Sequence, residues 1–154
     1  MAHVQKSVYI NAPLKDVYAL AGDPSRWSLW FVGLTGPEEP VPPNEPGSVM
    51  EVAYQAVGIR VPMRLHVEKF DIGEQRVEWQ GRFEGGMSGR HIFTYTAEQQ
   101  RTRVVVDSEF TIPGKMLGKI ADRLLVQRIM ESGMEQSLEN LRLLCEQGQA
   151  EASS

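Results

Sequence analysis

The sequence predicts a single α+β domain in which an antiparallel sheet is followed by one long helix. Three observations carry this. Residues 50–112 alternate apolar and polar side chains with a period of two, and after Pro113-Gly114 the period changes to about 3.6. A short β-branched and aromatic segment with two short helical stretches precedes both. At 154 residues the chain suits one domain. A chain of this mass buries about 69% of its unfolded surface, enough for a proper core.

The first strand spans Val4 to Ile10 and ends at Asn11-Ala12-Pro13, with Asn11 a candidate helix cap. Leu14, Val17, Tyr18 and Ala21 follow at helical spacing until Gly22 closes the turn. Asp23 and Pro24 restart a second short helix that carries Trp27, Trp30 and Phe31. Between Gly36 and Gly47, Pro37, Pro40, Pro42, Pro43 and Pro46 preclude a central strand or a helix interior. This loop follows a brief strand near Val32–Leu34.

Five one-sided strands come next. Met50 to Ala56 and Ile59 to Glu68 are joined by a turn at Gly58; Arg76 to Phe83 follows a turn near Asp71–Glu74. Gly85-Gly86 separates that strand from Arg90 to Tyr95, and Arg103 to Ile112 closes the set. Strands this close in sequence form an antiparallel meander. A helix of about thirty residues then carries Leu117, Ile120, Ala121, Leu124, Met130, Met134, Leu138, Leu141 and Cys145 on one stripe. Leu125, Val126 and Ile129 widen its first half, so cover on most sides is expected there. The domain is expected to span 1–147, with 148–154 a flexible polar tail.

Composition excludes several classes. With 42% hydrophobic and 23% charged residues, the chain is not intrinsically disordered. A net charge of −4 argues against nucleic acid as a partner, since phosphate contacts need clustered Lys and Arg. No apolar run reaches the ~18 residues of a membrane span, and the N-terminus lacks a signal-peptide core, so a cytoplasmic location is expected. One cysteine and three scattered histidines predict no disulfide and no metal site. No cofactor is expected.

Three stretches are similar to a known family: Ser7-Val8-Tyr9-Ile10-Asn11-Ala12-Pro13 running into Val17-Tyr18 and Asp23-Pro24-Ser25-Arg26-Trp27; Thr102-Arg103-Val104; and Leu117-Gly118 … Leu124 … Leu138-Glu139-Asn140-Leu141-Arg142. Together they resemble the START-like (SRPBCC) superfamily, in its polyketide cyclase/dehydrase and lipid-transport branch. The resemblance implies a helix-grip fold, a curved antiparallel sheet of six to seven strands wrapped around the C-terminal helix. It also implies a cavity between sheet and helix, open near the two short helices, that holds apolar or amphipathic small molecules.

The strand phase puts Met50, Tyr54, Met63, Leu65, Trp79, Phe83, His91, Phe93, Tyr95, Ser108 and Phe110 on one inward face, and Met130 and Met134 face them from the helix. Trp27, Trp30 and Phe31 share a helix face at the expected mouth. A solid core and a ligand cavity both fit this set; the resemblance favours the cavity. His91 and Tyr95 are the candidate acid–base groups, although a core histidine satisfied by a neighbouring hydroxyl is the commoner arrangement. No nucleophile–base pair supports covalent catalysis. Arg60, Arg64, Arg76, Arg82, Arg90 and Arg103 all fall on the outward phase, and only a bulge at Gly81 would turn Arg82 inward. Gly114 and Gly118 permit either helix movement or close packing, the second being the usual reason. The first reading is therefore a carrier or sensor of a small hydrophobic molecule. A cyclase/dehydrase enzyme is the second, and an interaction module, including a homodimer, the third.

Overall fold

The computed structural model describes residues 2–153, with side chains through Glu151. Seven strands form one antiparallel sheet: β1 (Ala2–Ile10), β2 (Leu34–Thr35), β3 (Val49–Ala56), β4 (Ile59–Ile72), β5 (Arg76–Gly85), β6 (Gly89–Glu98) and β7 (Arg101–Phe110). Their order is β1-β7-β6-β5-β4-β3-β2, so the meander runs unbroken and β1 closes it against β7. The sheet curves into a half-barrel around the C-terminal helix, the α+β helix-grip architecture.

Alternation sets the two faces. In β5, Val77, Trp79, Gly81 and Phe83 are buried while Arg76, Glu78, Gln80 and Arg82 lie outward, and β4 and β7 repeat the pattern. Outward charges pair across strands, as in Arg64 with Glu51 and Arg82 and Arg90 with Glu68. The turn between β3 and β4 uses Val57 and Gly58, both at positive φ (49° and 77°), a geometry that follows the sheet twist. Irregularity falls elsewhere than at Gly81. Gly81 pairs regularly with Val67 and His91, whereas β4 slips its register between Val67 and Lys69. Arg82 thus stays outward. Beyond the slip, β4 runs on to Ile72 with Phe70 turned toward the core.

Two short helical stretches lead from β1 to the loop. Helix α1 (Leu14–Ala21) buries Leu14, Val17 and Ala21. Its cap position is Pro13 rather than Asn11, whose backbone N–H instead donates to Glu146 Oε2 at 3.0 Å. A 3₁₀ turn (Pro24–Arg26), capped by Asp23 through Ser25 N–H, runs into the one-turn helix α2 (Trp27–Trp30).

The C-terminal helix is not continuous from Gly114. Helix α3 (Gly114–Lys119) stops at Ile120, which turns extended, and α4 (Arg123–Ser153) starts afresh. Asp122 Oδ1 supplies the second start, accepting from the N–H groups of Leu124 (3.0 Å) and Leu125 (3.3 Å). The break rotates the stripe. Val126, Met130, Met134, Leu138, Leu141 and Cys145 are buried, but Leu124 and Leu125 are 56% and 45% exposed, so the first turn is not covered on most sides. Close packing does not account for Gly114 or Gly118 either, because a Cβ at each would meet nothing within 4 Å. At the far end α4 continues through Gly148 to Ser153, where the composition suggests a polar tail. Gln149 donates to Asp16 Oδ2 at 2.7 Å and ties this last stretch to α1. Ser154 lies outside the described residues.

Candidate functional site

A cavity of about 90 Å³ lies between the inward face of the sheet and α4. Its walls follow from the pleat and the helix stripe. Tyr54, Met63, Leu65, Trp79, Phe83, His91, Phe93, Tyr95, Ser108 and Phe110 line it from β3 to β7, Met130 and Met134 from α4, and Trp27, Trp30 and Phe31 from the α2 segment. The residues that the strand phase and helix spacing placed inward meet in this one space, except Met50, which is buried in the core without lining it. Edge-to-face contacts hold the aromatic wall, including Trp27 on Trp79 (5.7 Å between ring centres) and Trp30 on Phe93 (6.1 Å).

Sequence reasoning missed three liners that matter. Tyr18 was legible, for it sits on the apolar face of α1 and packs edge-on against Tyr95 and Phe70. Met87, an apolar residue between glycines in the β5–β6 connection, is buried against the cavity. Asn44 had no signal at all, since a proline-rich loop carries no periodicity. Its Oδ1 accepts from Trp79 Nε1 (2.8 Å) and its Nδ2 donates to the Gly22 carbonyl (3.0 Å). One side chain thus straps the loop to both the sheet and the end of α1.

The polar groups divide into satisfied and orphaned. Trp27 Nε1 donates to the Ala21 carbonyl at 2.9 Å, so Trp27 anchors its helix. By contrast, Tyr18 Oη, Trp30 Nε1, His91 Nδ1 and Ser108 Oγ are buried with no hydrogen-bond partner among the described residues. His91 is therefore not a core histidine satisfied by a hydroxyl, even though Ser108 is its register partner on β7. Burial pushes the His91 imidazole down to about 4, so it is neutral at neutral pH. The same desolvation raises the Tyr18, Tyr54 and Tyr95 phenols above their ordinary range and the Cys145 thiol to about 11. No Asp, Glu, Lys or Arg among the described residues lines the cavity. Nor do the described residues bring three or more His, Cys, Asp or Glu together to hold a metal. No described helix is long and apolar enough to cross a membrane.

A family model for polyketide cyclase/dehydrase and lipid transport proteins matches residues 1–146. The chain belongs to this family. As a polyketide cyclase/dehydrase and lipid transport family member it also has the START-like architecture of known structures. The crystal structure of TTHA0849 from Thermus thermophilus shares 25% identity at a TM-score of 0.71, covering 96% of this chain and 99% of that one. The hypothetical protein jhp0584 from Helicobacter pylori shares 15% identity at a TM-score of 0.69, over 94% of this chain and 88% of that one. DynU16, from the dynemicin biosynthetic locus, shares 20% identity at a TM-score of 0.59, covering 95% of this family member and 48% of its own chain. No curated protein matches.

Proposed function

We propose that this protein binds a small hydrophobic molecule, such as a lipid, quinone or polyketide, in its internal cavity, and acts as a carrier or sensor. The observation that carries the reading is the lining, aromatic and methionine-rich with no charged side chain among the described residues. Such a surface rewards apolar burial at about 25 cal/mol per Å² and offers no ion to hold a charged group. A cavity of about 90 Å³ suits a compact guest. Met63, Met87, Met130 and Met134 all line it, and unbranched thioether side chains can re-pack around a larger one. The reading takes residues 1–147 as one binding unit, consistent with the family match over 1–146, and includes a cytoplasmic location.

A second reading, a cyclase/dehydrase enzyme, rests on His91, whose unpartnered imidazole is neutral and faces the same space as Tyr95. Against it, the outward arginines leave no cation to stabilise an enolate. Titration with the neutral dye N-phenyl-1-naphthylamine separates the outcomes. Saturable fluorescence enhancement by the folded protein is expected, and its absence overturns the carrier reading. Should His91→Ala abolish turnover of a poly-β-keto substrate while leaving its binding intact, the enzyme reading replaces it.

A further inference from the structure

Of the four orphaned polar groups that line the cavity, two stand side by side and a third lies across one layer of rings from them. His91 and Ser108 are direct cross-strand partners on β6 and β7. Their Cβ atoms therefore stand about 5 Å apart on the same face. Both reach the cavity, and neither His91 Nδ1 nor Ser108 Oγ has a partner among the described residues. Trp30 is a single ring layer away, because Phe31 and Phe93 each pack against both its indole and the His91 imidazole. Its Nε1–H, likewise buried and unpartnered, is a donor only. Tyr18 Oη, the fourth orphan, belongs to a ring packed on Tyr95, about 13 Å along the strand from His91, and is a separate group.

The Trp79 end of the cavity is built differently. There the indole N–H is answered by Asn44 Oδ1, whose amide in turn donates to the Gly22 carbonyl at the end of α1. At the His91 end the protein supplies no answer, although a buried polar group without a partner is disfavoured. The chemistry of the donors states what is missing. Trp30 needs an acceptor; neutral His91 and Ser108 each offer one donor and accept as well. An uncharged oxygen meets all of this. A carboxylate would also accept, but it would arrive with a charge that no lining cation offsets.

We propose that His91, Ser108 and Trp30 form a polar subsite that receives a neutral carbonyl or hydroxyl oxygen of an otherwise apolar ring ligand. The cavity thus selects oxygenated neutral molecules over plain hydrocarbons and over carboxylates. This inference rests on the carrier reading and names its ligand class.

Equilibrium dialysis of the intact protein against naphthalene, 2-naphthol and 2-naphthoate tests it. Because naphthalene is more hydrophobic than 2-naphthol, a purely apolar cavity prefers it. The subsite instead predicts 2-naphthol tighter than naphthalene by roughly two- to tenfold, the range of one net hydrogen bond. Naphthoate is expected to be the weakest. In Ser108→Ala and in His91→Phe, each verified as folded by circular dichroism, the 2-naphthol preference should shrink or vanish while naphthalene still binds. Naphthalene binding as tightly as 2-naphthol, naphthoate binding best, or a preference unchanged in both variants overturns the subsite and leaves the carrier reading standing. Failure of all three probes to bind overturns both.

Discussion

At neutral pH the His91 imidazole is uncharged because burial holds its pKa at about 4, against an ordinary 6.5 that the unfolded chain keeps. The sign of the pH dependence follows. Above pH 6.5 neither state binds the proton, and this group takes nothing from stability. Between about 6.5 and 4 the unfolded chain protonates first, so stability falls with pH, by about 3 kcal/mol in all. Below about 4 the folded state takes up the proton too and the loss from His91 levels off. Urea unfolding between pH 4 and 7 should therefore show a shallower slope for His91→Phe than for the parent; identical slopes refute the assignment. Ser108 gives an opposite prediction. Its hydroxyl is fully buried and unpartnered, so Ser108→Ala removes a desolvation cost and should stabilise the unliganded protein by about 1 kcal/mol. A raised urea midpoint with unchanged m-value reads this directly. Stability gained at the expense of ligand preference marks a binding group rather than a packing one.

Among the elements, α4 depends on a start that its apolar stripe does not reveal. Asp122 Oδ1 accepts from the second and third N–H groups of the helix, and Asp122→Ala should cost about 1 kcal/mol, measured as a lower urea midpoint. Register between β6 and β7 depends on Gly89. A Cβ there would lie 2.1 Å from the Glu109 carbonyl oxygen and 2.7 Å from the Phe110 Cα, backbone atoms that cannot swing aside. Gly89→Ala should destabilise the fold by about 2 kcal/mol or more, since the strand pair must separate. Chemical-shift changes on β7 as well as β6 are the expected signature.

For the whole molecule, inward and outward faces carry different physics. Affinity for N-phenyl-1-naphthylamine should change by less than about twofold between low and high salt, since screening acts on charges and no charged residue among those described lines the cavity. Trp79 contributes a large aromatic face held by Trp27, Phe93 and Asn44. Trp79→Leu should weaken dye binding by roughly tenfold, the scale of losing an aromatic contact surface of this size. Arg82 pairs with Glu68 and Glu84 on the convex face, so Arg82→Ala should stay within about twofold. Equal effects at the two positions, read by fluorescence titration, contradict the assignment of faces.

Which residues share a face can be read from the order of side chains along the chain. Alternation over β3–β7 and the stripe of α4 are local consequences of a period of two and of about 3.6, so Met63, Trp79, Phe93, Phe110, Met130 and Met134 were legible as one inward set. Tertiary structure alone decided three other matters. It paired β1 with β7, a contact between segments about a hundred residues apart that no local pattern encodes. It broke the C-terminal helix at 120–122, because a capping aspartate competes there with a nearly continuous apolar stripe. And it decided which buried polar groups are answered. Asn44 reaches Trp79 across 35 residues of sequence while His91 and Ser108, direct neighbours in the sheet, are left without a partner. Hydrogen-bond satisfaction is a property of three-dimensional proximity and direction, and spacing along the chain carries neither.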